Sequence, residues 1–285
     1  MPAKLVIPIV VAMLILAGCT PQIQMPTKVC PGKPSVDEAL AALQAQSQNA
    51  VPLKAHGKSR LEFYAEEKKK PQKENLDVKL RVNPPAEIYL QGDKSILAKA
   101  FMLGSNEEAF WLSIKPKISV HIWGKWAEQD SAGGRVINPR NMLEALGIGQ
   151  IVSEQDWSLS NEGAYDILTE RERGVATKKI HIWCCDYRTR KIELFDSEGQ
   201  AVATTVLDKY EEVSEGFFVP TLLRITTLAR DETEKPFTIT INLASIRPSK
   251  EFKKWPALLF ERPKRIGGFK KIYRMINGKL IEQPK

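Results

Sequence analysis

Two hydrophobic periods divide this chain. Between Ser35 and Leu43 the apolar residues Val36, Leu40 and Leu43 recur at helical spacing. Ser35 stands where an N-cap is needed and Glu38 lies three residues on, a capping-box arrangement, so the segment reads as a helix with a narrow apolar face. After it the period changes to two. In "GKSRLEFYAEE" Leu61 and Phe63 point one way, and in "NLDVKLRV" Leu76, Val78, Leu80 and Val82 alternate with Asp77, Lys79 and Arg81. "AEIYLQGD", "SILAKAFMLGSN", "EAFWLSIKP" and "KISVHIWGKW" follow as strand candidates, parted by short turn signals such as Asn83-Pro84-Pro85, Gly92-Asp93 and Gly104-Ser105-Asn106. Linkers this short leave no room for crossover helices, so the pattern predicts an antiparallel meander.

One break interrupts it. Asn138 followed by Pro139 supplies an N-cap and a first-turn proline, Met142, Leu143 and Leu146 supply apolar bulk, and Gly147 can end the helix. Strands then resume through "AYDILTERE", "ATKKIHIWCCDY", "KIELFDSEGQAVATTVLDKY", "FVPTLLRITTLAR" and "FTITINLASI". The reading gives about ten or eleven strands, and one sheet of that size curls or closes. The expected fold is α+β: a single antiparallel, strongly curved half-open β-barrel, with a few helices covering the concave face.

The N-terminus follows neither period. Leu5 to Ala17 is an apolar run behind Lys4. Thirteen residues of helix reach about 20 Å, short of the roughly 30 Å hydrocarbon core, so the run reads as a secretory signal rather than a span. It ends in Leu16-Ala17-Gly18-Cys19, which resembles the bacterial lipobox. That resemblance implies cleavage before Cys19 and acylation of its thiol and amine. The expected organisation is a signal peptide over 1–18, a lipidated tether over 19–34 with four prolines between residues 20 and 34, and one domain over 35–285 with a basic tail. Thr20 rather than an aspartate follows Cys19, which resembles the outer-membrane sorting of enteric bacteria.

The formal charge of +8 favours anionic partners, and export makes nucleic acid an unsuitable one. The C-terminal run holds Lys264, Arg265, Lys270 and Lys271 among aromatic residues, as a membrane-facing patch or as a solvated face. Cys30, Cys184 and Cys185 remain beside Cys19. Outside the cytoplasm a disulfide is permitted, from Cys30 to either of the vicinal pair. "HIW" occurs at residues 121–123 and again at 181–183, so His121 and His181 would pair only if their strands faced each other. No hydrolase, phosphate-loop, CxxC or zinc spacing is present, so the expectation is a non-enzyme without a cofactor or metal.

A signal, one amphipathic helix and a long meander broken by helices resemble the LolA/LolB lipoprotein-carrier superfamily. "LDKYEEVSEGFFVPTLLRI" is similar to that family's late hairpin, at Tyr210, Gly216 and Pro220. "TITINLASIRPSKEFKKWPALLFERP" is similar to its closing strand and phenylalanine-proline tail, at Phe260 and Pro263, and "HGKSRLEFY" to the first strand of LolB-like lipoproteins. The arginine that latches the cavity lid in LolA has no counterpart here. The resemblance implies a concave apolar cavity for acyl chains of lipids or lipoproteins, in an envelope lipoprotein facing the periplasm. Its candidate lining is Leu61, Phe63, Val78, Leu80, Ile88, Leu90 and Phe101, each of which also suits an ordinary core. A sensor, structural or protein-interaction lipoprotein of the same fold, with an envelope protein as partner, is the alternative.

Overall fold

The computed structural model describes residues 30–64, 70–95, 97–115, 118–129, 138–149, 151, 155–229, 235–264 and 266–284. Cys19, the signal segment and Arg265 lie outside the described residues. Helix α1 (Val36–Gln48) begins where the sequence places it: Ser35 Oγ accepts a hydrogen bond from the Glu38 N–H at 3.2 Å, and Ala39, Leu40 and Leu43 are buried. Helix α2 (Pro139–Ala145) is capped by Asn138, whose side chain accepts from the Arg140 N–H at 2.9 Å. Gly147 ends it in the left-handed region at φ +74°, which glycine adopts without a Cβ penalty.

The strands are β1 (Leu53–Phe63), β2 (Gln72–Asn83), β3 (Glu87–Lys94), β4 (Leu97–Ser105), β5 (Ala109–Ile114) and β6 (Val120–Lys125) before α2. After it come β7 (Asp156–Glu162), β8 (Tyr165–Glu172), β9 (Val175–Trp183), β10 (Arg188–Phe195), β11 (Ala201–Ser214), β12 (Phe217–Thr227), β13 (Thr238–Pro248), β14 (Lys271–Ile276) and β15 (Lys279–Glu282). They form one open sheet in the order β15-β14-β6-β5-β4-β3-β2-β1-β13-β12-β11-β10-β9-β8-β7.

Two expectations are corrected. The described residues hold fifteen strands rather than ten or eleven. "KIELFDSEGQAVATTVLDKY" is two strands, because Asp196 accepts from the N–H groups of Glu198 and Gln200 and turns the chain. The sheet is also not wholly antiparallel: β14 runs parallel to β6, with Tyr273 opposite Ile122. A parallel neighbour requires a crossover connection, and residues 249–270 supply it by passing from β13, at mid-sheet, to the far side of β6.

The central pair β1–β13 depends on one glycine, Gly57. Its Cβ would lie 2.0 Å from the Asn242 carbonyl oxygen of β13, at the point where the β1–β13 register shifts. Backbone cannot yield there without breaking the ladder. Gly57→Ala is therefore expected to cost about 1–3 kcal/mol, as overpacking does. A urea midpoint equal to that of the wild type would contradict this packing.

Candidate functional site

Register sets the inner face. Ala55 pairs with Leu80, Leu80 with Leu90, Leu90 with Leu103, Leu103 with Leu112 and Leu112 with Ile122, which makes one apolar row across six strands. Every member is buried. Both helices pack on this face, for their buried residues belong to the same core. Helix α1 lies against β7, β8 and β12, and α2 against β4. Helix α2 is also bonded to β9, where Lys178 Nζ donates to Glu144 at 3.0 Å and reaches Glu170 at 3.3 Å. Burial works against the charge on Lys178, but the two carboxylates more than offset it and hold the ammonium above its ordinary range.

All seven predicted lining residues sit in this core. Leu61, Phe63, Val78, Leu80, Ile88, Leu90 and Phe101 are between 0% and 6% exposed. The structure brings Leu61 and Phe63 together with Leu76, Ala100, Ile114 and Ile118 around a small cleft. The other five pack into the filled part of the face. Lys94, Lys115 and Glu74 also line the cleft, with Lys94 Nζ donating to Glu74 at 2.5 Å. Alternation finds the apolar residues; nothing local marks these three charges, because Glu74 and Lys94 are twenty positions apart. The cleft holds about 20 Å³, room for about one water.

The opposite face of β3–β6 is covered as well, by the crossover. Phe260 O accepts from Asn106 Nδ2 at 3.0 Å, the Arg262 guanidinium lies 3.9 Å from the Trp123 ring centre, and the Phe269 ring lies 5.5 Å from that of His121. His121 is thereby fully buried and bonded through Nδ1 to Ser113 Oγ at 2.8 Å. Burial foremost, with Arg262 and Lys115 nearby, depresses its pKa to about 4. His181 sits elsewhere, its Nε2 2.6 Å from Glu193. Nine strands separate β6 from β9, so the two histidines make no pair. Of the predicted basic patch, Lys264, Lys270 and Lys271 are exposed.

The N-terminal end of the domain is fastened at β8–β9. Cys30 is bonded to Cys185, while Cys184 remains a thiol. Desolvation and the neighbouring Asp166 push that thiol up to about 11, which leaves it protonated and unreactive at neutral pH. Asp166 is fully buried and accepts from the Lys33 N–H at 2.8 Å and Asn161 Nδ2 at 2.6 Å. Residues 30–33 of the expected tether are thus docked on the sheet. An aspartate within the apolar "AYDIL" is the only sequence signal of this clamp. Among the described residues no three His, Cys, Asp or Glu side chains converge as metal ligands.

No protein-family model and no curated protein matches the chain. Among solved structures it is similar to the LolA superfamily protein NE2245 from Nitrosomonas europaea, at 11% identity and TM-score 0.47, over 80% of this chain and 98% of that one. It is similar to an outer membrane lipoprotein-sorting protein domain from Vibrio parahaemolyticus, at 11% and 0.49, over 76% and 93%. It is also similar to a DUF1329 family protein from Desulfovibrio piger, at 11% and 0.51, over 80% and 98%. At these identities the likeness concerns the fold alone, and of the three it exceeds a TM-score of 0.5 with the DUF1329 family protein.

Proposed function

We propose that this chain is a lipid-anchored envelope lipoprotein, facing the periplasm from the outer membrane, that takes up acyl chains between the inner face of its sheet and the cover formed by α1 and α2. It needs no cofactor and catalyses no reaction. The observation that carries this reading is the double attachment of α2. Strands β4 and β9 lie eight steps apart in the sheet, about 38 Å if flat, yet a seven-residue helix about 10 Å long touches both. A sheet that bends toward its cover in this way supports the half-barrel that the sequence resemblance implies. Such a face is largely apolar and is covered by two short helices. Each methylene moved into it from water contributes about 0.8 kcal/mol.

With room for about one water, the cleft admits a chain only if the side chains that line it give way. The Glu144–Lys178–Glu170 contact is the polar attachment that lifting α2 would break. The same tight interior favours a second reading, a protein-interaction or sensor lipoprotein whose core is filled by its own side chains. Mass spectrometry of lipids co-purified with the protein separates the two: bound lipid in stoichiometric amount supports uptake, and its absence supports the filled core.

The anchor is tested separately. Cys19→Ser is expected to abolish palmitate labelling and release the protein from the membrane fraction. Unchanged labelling would remove the lipid anchor from this reading.

A further inference from the structure

The crossover builds a second hollow, on the side of the sheet away from the helices. Trp123 projects there because its neighbour Ile122 belongs to the inner row, and Ile272 projects there because it pairs with His121. Ile266, Phe269 and Pro284 line the same hollow, and Lys264 joins them. Its volume is about 480 Å³, within the range of small-molecule sites and far above that of the inner cleft. A Cβ on Gly267, at the same hollow, would meet no neighbouring atom, so this part of it opens to solvent.

The charge around it is mainly positive. Residues 262–274 carry six lysines and arginines and no carboxylate. The Trp123 ring lies 3.9 Å from Arg262 and 5.2 Å from Arg274, and Lys115 Nζ lies 4.0 Å from the Phe269 ring centre. Glu128 neutralises Arg274 at 2.5 Å. Lys264 is exposed and has no ion-pair partner among the described residues. Beside the hollow, Ile281 of β15 pairs with Arg274 on the face that Ile272 takes and is exposed, so this face also carries apolar surface at the sheet edge.

We infer that this hollow binds one anionic amphiphile, its apolar chain against Trp123, Ile266, Phe269 and Ile272 and its anionic head at Lys264. Apolar walls alone would take any chain, and lysines alone any anion. Their union selects a molecule that has both. The site is separate from the inner face, so either can fail while the other stands.

The test is a titration of the full chain, carrying Cys19→Ser to keep it in solution, with 12-bromododecyl phosphate, whose bromine quenches nearby indoles. Saturable quenching is expected, and Trp123→Phe should remove it. Lys264→Glu and Ile266→Asp should each weaken binding by about tenfold or more, dodecyl maltoside should bind about tenfold more weakly, and inorganic phosphate should not compete. Because Lys264 is exposed, Lys264→Glu decides the matter if Ile266→Asp fails to fold. Absence of binding, quenching that survives Trp123→Phe, affinity unchanged in Lys264→Glu, or displacement by phosphate would each overturn the assignment. Probe binding lost in Phe63→Glu but kept in Lys264→Glu would place the amphiphile on the inner face instead.

Discussion

Cys30→Ser is expected to lower the stability of the protein by about 2–5 kcal/mol under non-reducing conditions. The bond joins residues 155 positions apart, and a cross-link of that span removes loop-closure entropy from the unfolded chain worth about 5 kcal/mol. Measured effects usually fall below that limit, hence the lower bound. A native-state term adds to it. Once released, residues 30–33 can leave the sheet, and buried Asp166 then loses the Lys33 N–H that it accepts at 2.8 Å. A buried carboxylate that loses one of its donors is costly, even with Asn161 still bonded to it. Urea unfolding of the wild type, Cys30→Ser and Cys185→Ser checks this. Both variants should share one lowered midpoint, which the wild type reaches when reduced. Midpoints equal to the oxidised wild type would show that the bond stabilises nothing.

Acid should destabilise the protein through His121 by roughly 3 kcal/mol between pH 6.5 and pH 4. The sign follows from proton counts. In the unfolded chain the imidazole titrates at its ordinary value near 6.5; in the fold it titrates at about 4. Between those values the unfolded state holds the extra proton, so unfolding becomes easier as the pH falls. Above pH 6.5 both states are neutral and the term vanishes. The cause is positional: Ser113 takes Nδ1, Nε2 has no partner among the described residues, and Arg262 and Lys115 oppose a new positive charge. His121→Gln should flatten this part of the profile, whatever it does to stability at pH 7. A variant with the same slope as the wild type would assign the acid sensitivity to other groups.

The two "HIW" segments show where sequence reading stops. Both read as the same strand, and both are strands, β6 and β9. One histidine is sealed beneath residues about 150 positions later, while the other meets a carboxylate from the adjacent β10. Local sequence fixes which face a side chain takes; what covers that face is decided elsewhere in the chain. The same limit explains β14 and β15. "KIYRMI" pairs with β6, but its lysine and arginine place it within a basic tail on composition, and all of β15 is exposed and carries no burial pattern. Strand β7 buries only Trp157 and gives almost no alternation. By contrast β1, β2 and β13 bury one face and show it in their spelling. The seven predicted inner residues are all buried on one face for that reason, and the rim charges and the Asp166 clamp are missed for the opposite one.

Uptake of acyl chains by the inner face is tested most directly by titrating the delipidated, folded protein with a fluorescent fatty acid, in the wild type and in two variants of that face. Val78 is 2% exposed in the packed interior, so Val78→Glu should unfold the protein or nearly so. Phe63 lines the cleft beside Lys94 and Lys115, so Phe63→Glu should keep the fold. The expected result is saturation at about one probe per chain in the wild type and none in folded Phe63→Glu. A folded, lipid-free wild type that takes up no probe would contradict it and leave the inner face as a filled core.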